Sequence, residues 1–158
     1  MTSVRRIKFL LSRDDYYHQR GYWVIANALR NGGFEVILGG IQTPSEIVET
    51  ALQEDVDIIG YRLMDASSKV MIPILAAKMK AHGIGRLPIV VGGIVPERDE
   101  KFLKELGVRE IFHPFTPLDH IVERCYSLTE EYRRIQELEQ EDLEHTKNVI
   151  ASDESQGS

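Results

Sequence analysis

The chain has a single cysteine, Cys125, which rules out an internal disulfide and any cysteine-based zinc site. It has no apolar run near the ~20 residues that a membrane span requires. The first residues, Met1 to Arg6, lack the apolar core of a signal peptide, so the cytoplasm is the expected setting. Basic residues are in deficit, with 19 Lys and Arg against 25 Asp and Glu and a formal net charge of -6. Such a surface excludes nucleic acid as the main partner, because phosphate binding needs positive charge. No internal repeat is evident. What is present is a chain of 158 residues, 42% hydrophobic, with a mean hydropathy of -0.23. That is enough for one domain with a core that needs no covalent staple.

Five short β-like runs alternate with five helical patterns. The strands are expected at about Arg5–Leu11, Phe34–Leu38, Asp57–Tyr61, Pro88–Val91 and Glu110–His113. Helix 1 runs from near His18 to Arg30, with Tyr22, Ile25, Ala26 and Leu29 as one stripe, and Asn31-Gly32-Gly33 ends it. Thr43-Pro44-Ser45-Glu46 reads as a capping box with proline at the first helical position, opening a helix that buries Ile47, Val48, Ala51 and Leu52. Helix 3 points Met71, Ile74 and Leu75 inward, helix 4 spans Pro96 to Leu106, and helix 5 begins near Leu118. Regular β-α alternation with crossovers of helix length implies a parallel sheet with helices on both faces. Five such strands take the order 2-1-3-4-5 of a flavodoxin-like, Rossmann-like α/β fold. The domain pattern is complete at 1–125. Residues 126–150 form a charged helical extension, which either lies on the domain or docks a partner, and 151–158 read as a disordered tail.

Ligands of such sheets collect beyond the carboxyl ends of the strands, so four loops matter: Ser12 to His18, Arg62 to Ser68, Gly92-Gly93, and His113 to Pro117. The first lacks the Ser/Thr/Gly-rich phosphate loop of a flavin-mononucleotide protein. A phospho-receiver is also excluded. Asp14-Asp15 resembles its acidic pair, but strand 3 ends without the acceptor aspartate, strand 4 ends in glycine, and His113 replaces its lysine. His18 is the only side chain of the first loop able to ligate a transition metal through a neutral nitrogen. Its plainer role is a first-turn residue that caps the loop. Tyr16 and Tyr17 either pack over the loop or face a bound ring. Arg62 either pairs with Asp65 or Asp15, or grips a phosphate or carboxylate. Two glycines at a central strand end imply a close-approaching ligand or helix.

Taken in order, His18-Gln19-Arg20-Gly21, Thr43-Pro44, Glu54 to Gly60, Val91-Gly92-Gly93-Ile94-Val95-Pro96 and Gly107 to Phe112 resemble the cobalamin-binding domain of the methylmalonyl-CoA mutase family. The resemblance covers roughly Arg5 to Arg124. It implies cobalamin as cofactor, most naturally adenosylcobalamin, held for a separate and larger substrate-binding subunit or within a homo-oligomer. In that family a DxHxxG histidine replaces the cofactor's own benzimidazole beneath cobalt, and the freed nucleotide tail enters the strand-end crevice. By resemblance His18 is the axial metal ligand and Gly21 the helix-entry glycine. Gly92 and Gly93 admit the tail, and Thr116 is the threonine of a Pro-Gly-Thr loop.

The pocket departs from the family at defined places. Tyr16 stands for the aspartate that orients the histidine, and Asp14 or Asp15 replaces it only if the loop shifts register. Arg62 and Met64 stand for the serine and leucine of an SxL motif, while Phe115 and His113 replace glycines. Both of the latter are expected to fill the crevice, Phe115 as a plug. Two readings follow: a cofactor subunit of a carbon-skeleton isomerase with no turnover of its own, or a homologue that no longer binds cofactor and serves protein interaction.

Overall fold

The computed structural model describes residues 5–156. Its elements are β1 (Lys8–Arg13), α1 (Gln19–Asn31), β2 (Glu35–Ile41), α2 (Pro44–Glu54), β3 (Ile58–Leu63), α3 (Ser68–Ala81), β4 (Ile89–Gly93), α4 (Glu100–Glu105), β5 (Val108–Phe112) and α5 (Leu118–Gln156). The strands form one sheet in the order β2-β1-β3-β4-β5, all pairs parallel. The expected architecture is therefore the one observed. No helix among the described residues is long and apolar enough to cross a membrane.

Side chains alternate across a strand, so each strand feeds two cores. Leu10, Ile59, Tyr61, Leu63, Ile89 and Val91 pack under α2, α3 and α4. Phe9, Leu11, Ile58, Val90 and Phe112 face the other way, against Tyr22, Ala26 and Leu29 of α1 and Ile121, Cys125 and Leu128 of α5. Gly60 belongs to this second face, and a Cβ on it would strike the Phe9 ring at 2.6 Å. At Gly60 the sheet therefore carries no side chain toward α1 and α5, which matters for the site.

The capping box of α2 is formed, with Glu46 N–H donating to Thr43 Oγ1 at 3.3 Å and Thr43 N–H to Glu46 Oε1 at 3.0 Å. Two expected core residues are not buried: Leu52 is 44% exposed and Ile74 42%. In α3 the buried residues Ser68, Ile72, Leu75 and Met79 are spaced four, three and four apart, a stripe that carries Ile74 round to solvent. The expected helix from Pro96 splits into a 3₁₀ turn, Glu97–Asp99, followed by α4.

Ion pairs fix α5 to the domain: Arg124 with Glu110 at 2.8 Å, Arg109 with Glu131 at 2.9 Å, Arg133 with Asp57 at 3.2 Å, and finally Arg86 with Glu139. Beyond that pair the helix is exposed on all sides as far as Ser155. Where a disordered tail is expected from Ala151, helix continues to Gln156. Ser158 and its neighbour Gly157 lie outside the described residues.

Candidate functional site

Asp14 and Asp15 divide the work of the β1–α1 loop. Asp14 accepts three backbone N–H groups from the loop after β3, Met64 at 2.9 Å, Asp65 at 2.9 Å and Ala66 at 2.6 Å. Its own N–H donates to Arg62 O at 3.2 Å. The two loops are thereby locked together. Asp15 turns the opposite way and is buried, its Oδ2 held by the Nδ1 of His18. The His18 side chain remains half exposed and makes no capping bond to α1, although the residue is the helix N-cap. With Nδ1 committed to a carboxylate, Nε2 is the nitrogen left to act as a donor atom. The carboxylate that meets the ring is therefore Asp15, whereas Tyr16, 70% exposed and without a hydrogen bond from its hydroxyl among the described residues, does not hold it.

Arg62, at the end of β3, reaches back over α1. Its Nη1 donates to His18 O at 2.7 Å. Gly21 makes this possible, because a Cβ there would collide with the guanidinium. Arg62 pairs with neither Asp65 nor Asp15, contrary to the plainer expectation; its bond is to the loop carbonyl. Burial pulls its pKa below the usual value, while Asp15 and Asp14 support the charge and Arg13 opposes it. The guanidinium stays charged.

Beside this cluster a cavity of about 330 Å³ descends from the strand ends between the sheet and helices α1 and α5. Phe9, Leu11, Gly60 and Val90 make its floor; Val24 and Ile25 of α1 and Ile121 and Cys125 of α5 make its walls. Arg62, Met64, Gly92, Gly93, Phe115 and Thr116 stand around the mouth. The expected plug is absent. Phe115 adopts a left-handed φ of 70° and lies fully exposed. The backbone takes the conformation open to glycine, and that throws the ring out of the slot. His113 is likewise drawn aside, its Nε2 paired with Glu100. Thr116 closes the turn by donating from Oγ1 to His113 O at 2.6 Å. Tyr17, 93% exposed, and Tyr16 are not among the slot's lining residues; they stand near His18 on the open rim.

The glycine pair serves two purposes. Gly93 has φ 103° and no room for a Cβ against Leu63 O, so the backbone itself demands it. Gly92 meets only Phe112 O at 3.8 Å and opens onto the slot. Deep in the slot, burial pushes the Cys125 thiol up to about 12 and makes it a poor nucleophile. The wall residues Val24 and Ile121 are functional candidates beyond those expected, and of the two carboxylates named from sequence it is Asp15 that meets His18. Val24 does carry a sequence signal, an apolar residue off the buried stripe of α1.

Residues 8–121 match the B12 binding domain family. The chain belongs to that family. Its matched segment runs from the first residue of β1 into α5 and omits the exposed end of the helix. Over 112 residues it is 38% identical to the 2-hydroxyisobutanoyl-CoA mutase small subunit of Aquincola tertiaricarbonis, covering 70% of this chain and 82% of that one. Over 117 residues it is 35% identical to the methylmalonyl-CoA mutase of Cereibacter sphaeroides, covering 73% of this chain but only 16% of that enzyme. Among solved structures, a cobalamin-binding protein from Desulfitobacterium hafniense superposes with a TM-score of 0.64 at 20% identity, covering 78% of this chain and 59% of that one, a likeness of fold. As a member of the B12-binding family this is a cobalamin-binding domain, similar to the small subunits of acyl-CoA mutases.

Proposed function

We propose that the chain holds cobalamin, as adenosylcobalamin, for a separate and larger subunit that binds an acyl-CoA substrate, in the cytoplasm. One observation carries this reading: an imidazole whose Nδ1 is fixed by the buried Asp15 stands at the mouth of an open apolar slot. The donor set suits the group. No cluster of three or more His, Cys, Asp or Glu side chains among the described residues would hold a free ion. A lone imidazole is what a metal carrying its own macrocyclic ligands requires. The cofactor supplies cobalt-carbon bond homolysis when bound; the protein supplies placement and electrostatics.

On this reading His18 would offer Nε2 to the cobalt, Asp15 would keep its ring oriented, and the slot would take the nucleotide tail. Gly92 leaves the tail its entrance, and Met64 and Thr116 border it. Tyr16, Tyr17 and Phe115 lie on the exposed rim, where the macrocycle and the larger subunit would cover them. The larger subunit binds the acyl-CoA on this reading, and the isolated chain is expected to catalyse nothing alone.

Purified chain is to be titrated with hydroxocobalamin and desalted. Retained colour, with a spectral shift that His18→Ala removes, is the expected result. Colourless protein after desalting would refute cofactor binding and leave the interaction-subunit reading.

A further inference from the structure

The slot is apolar except at one point. Its floor and walls are aliphatic or aromatic, and the Tyr61 hydroxyl is already spent on Gln42 O at 2.7 Å. His113 is occupied with Glu100. Arg62 is the only lining side chain that carries a permanent charge. It is half-buried, and the bond from Nη1 to His18 O is the one hydrogen bond its side chain makes among the described residues. A guanidinium has five N–H donors in a fixed fork, so most of them remain for a ligand. Neither neighbouring carboxylate takes a hydrogen bond from it: Asp14 accepts three backbone N–H groups, and Asp15 holds His18 through Oδ2 while its Oδ1 is buried without a partner among the described residues.

The nucleotide tail of cobalamin contains one phosphodiester monoanion between the corrin side chain and the ribose. An anion drawn into an apolar crevice is costly unless a partnered charge meets it. We infer that Arg62 is the phosphate-recognising residue of this site, gripping the phosphodiester of the tail at the slot mouth while holding the loop that carries His18. The inference rests on the cofactor reading above and adds a specific ligand atom group to it. It also accounts for the arginine where the resembling family has serine. A guanidinium that bonds both the His18 carbonyl and the tail phosphate joins the two halves of the cofactor's attachment. Gly21 is then needed for clearance of that arginine as well as for helix entry.

Three probes separate the contributions: hydroxocobalamin, cobinamide phosphate, which keeps a phosphate but no base, and cobinamide, which has neither. Binding of each to the full chain is followed by absorbance titration. The wild-type chain is expected to bind cobinamide phosphate about tenfold to a hundredfold more tightly than cobinamide, as a charge-assisted bond implies. Arg62→Gln, which removes the charge and ends short of the Nη1 position, should erase that difference, its loss falling more heavily on cobinamide phosphate than on cobinamide. Equal wild-type affinity for the two cobinamides overturns the inference even if the variant fails to fold. So does a variant whose loss falls equally on both, because Arg62 would then serve only the His18 loop. If hydroxocobalamin still binds with a His18-dependent spectrum in those cases, the cofactor reading stands and only the role of Arg62 falls. Failure of the wild-type chain to bind any of the three overturns both.

Discussion

His18 is held by a residue that linear motif spacing does not select. Its partner is Asp15, three positions earlier, and the residue two positions earlier, Tyr16, is in solvent. The reason lies in Asp14, whose three backbone acceptor bonds pull the start of the loop across to β3 and turn the next carboxylate under the imidazole. A motif read as fixed offsets assumes one loop path, and that path depends on contacts 50 residues away. His18 and Gly21 were therefore legible, while the supporting carboxylate was left open between Asp14 and Asp15. Loss of such a support typically costs about 10–100-fold in metal affinity. Asp15→Ala is accordingly expected to weaken hydroxocobalamin binding by that factor, whereas Tyr16→Phe leaves it unchanged. Titration of both variants decides the matter: a larger loss in Tyr16→Phe would return the supporting role to the tyrosine.

At the scale of the element, the carboxyl end of β4 separates folding from ligand access within two residues. Gly93 combines φ 103° with contact against the backbone of Leu63, so an alanine there strains the turn and displaces β3. Left-handed backbone costs a non-glycine residue about 1–3 kcal/mol, before any steric term. Gly92 has ordinary space around it and faces the slot. Gly93→Ala should therefore lower the urea midpoint clearly, while Gly92→Ala should leave it nearly unchanged and weaken cobalamin binding. Chemical denaturation beside a binding titration tests both, and the reverse pattern would contradict this division. From sequence the pair reads as one ligand-facing feature, because glycine does not announce whether φ or space requires it. The strands were legible for a related reason: buried parallel strands such as Ile58–Leu63 are almost continuously apolar, whatever their neighbours. The loop after β5 was not, since the direction of Phe115 hangs on a single left-handed φ. Nor was the phase of α3, where an apolar Ile74 sits one position from the stripe.

At the scale of the molecule, both cores bury acids that must stay protonated. Tyr61, under α3, has its pKa raised from 10.0 to about 12, chiefly by burial and further by Asp14 and Glu46. Cys125, between α5 and the slot, is raised from 9.0 to about 12, again by burial first. Burial also raises Tyr22 and Tyr132. For an acid whose folded pKa exceeds its unfolded value, the native state binds more protons in the interval between them, so stability falls as pH rises. The stability these groups confer is complete below about pH 9 and is lost on the way to about 12. Each contributes a slope of at most about 1.4 kcal/mol per pH unit within its own interval. The unfolding free energy, taken from urea titrations at pH 8, 10 and 11, is expected to decline progressively over that range. Tyr61→Phe and Cys125→Ala should each reduce the slope, whatever they do to the absolute value at pH 8. A slope unaltered by either substitution would mean that the two side chains ionise inside the fold as readily as in the unfolded chain. That outcome would also contradict a slot dry enough at its base to make an unpaired phosphate need Arg62 at its mouth.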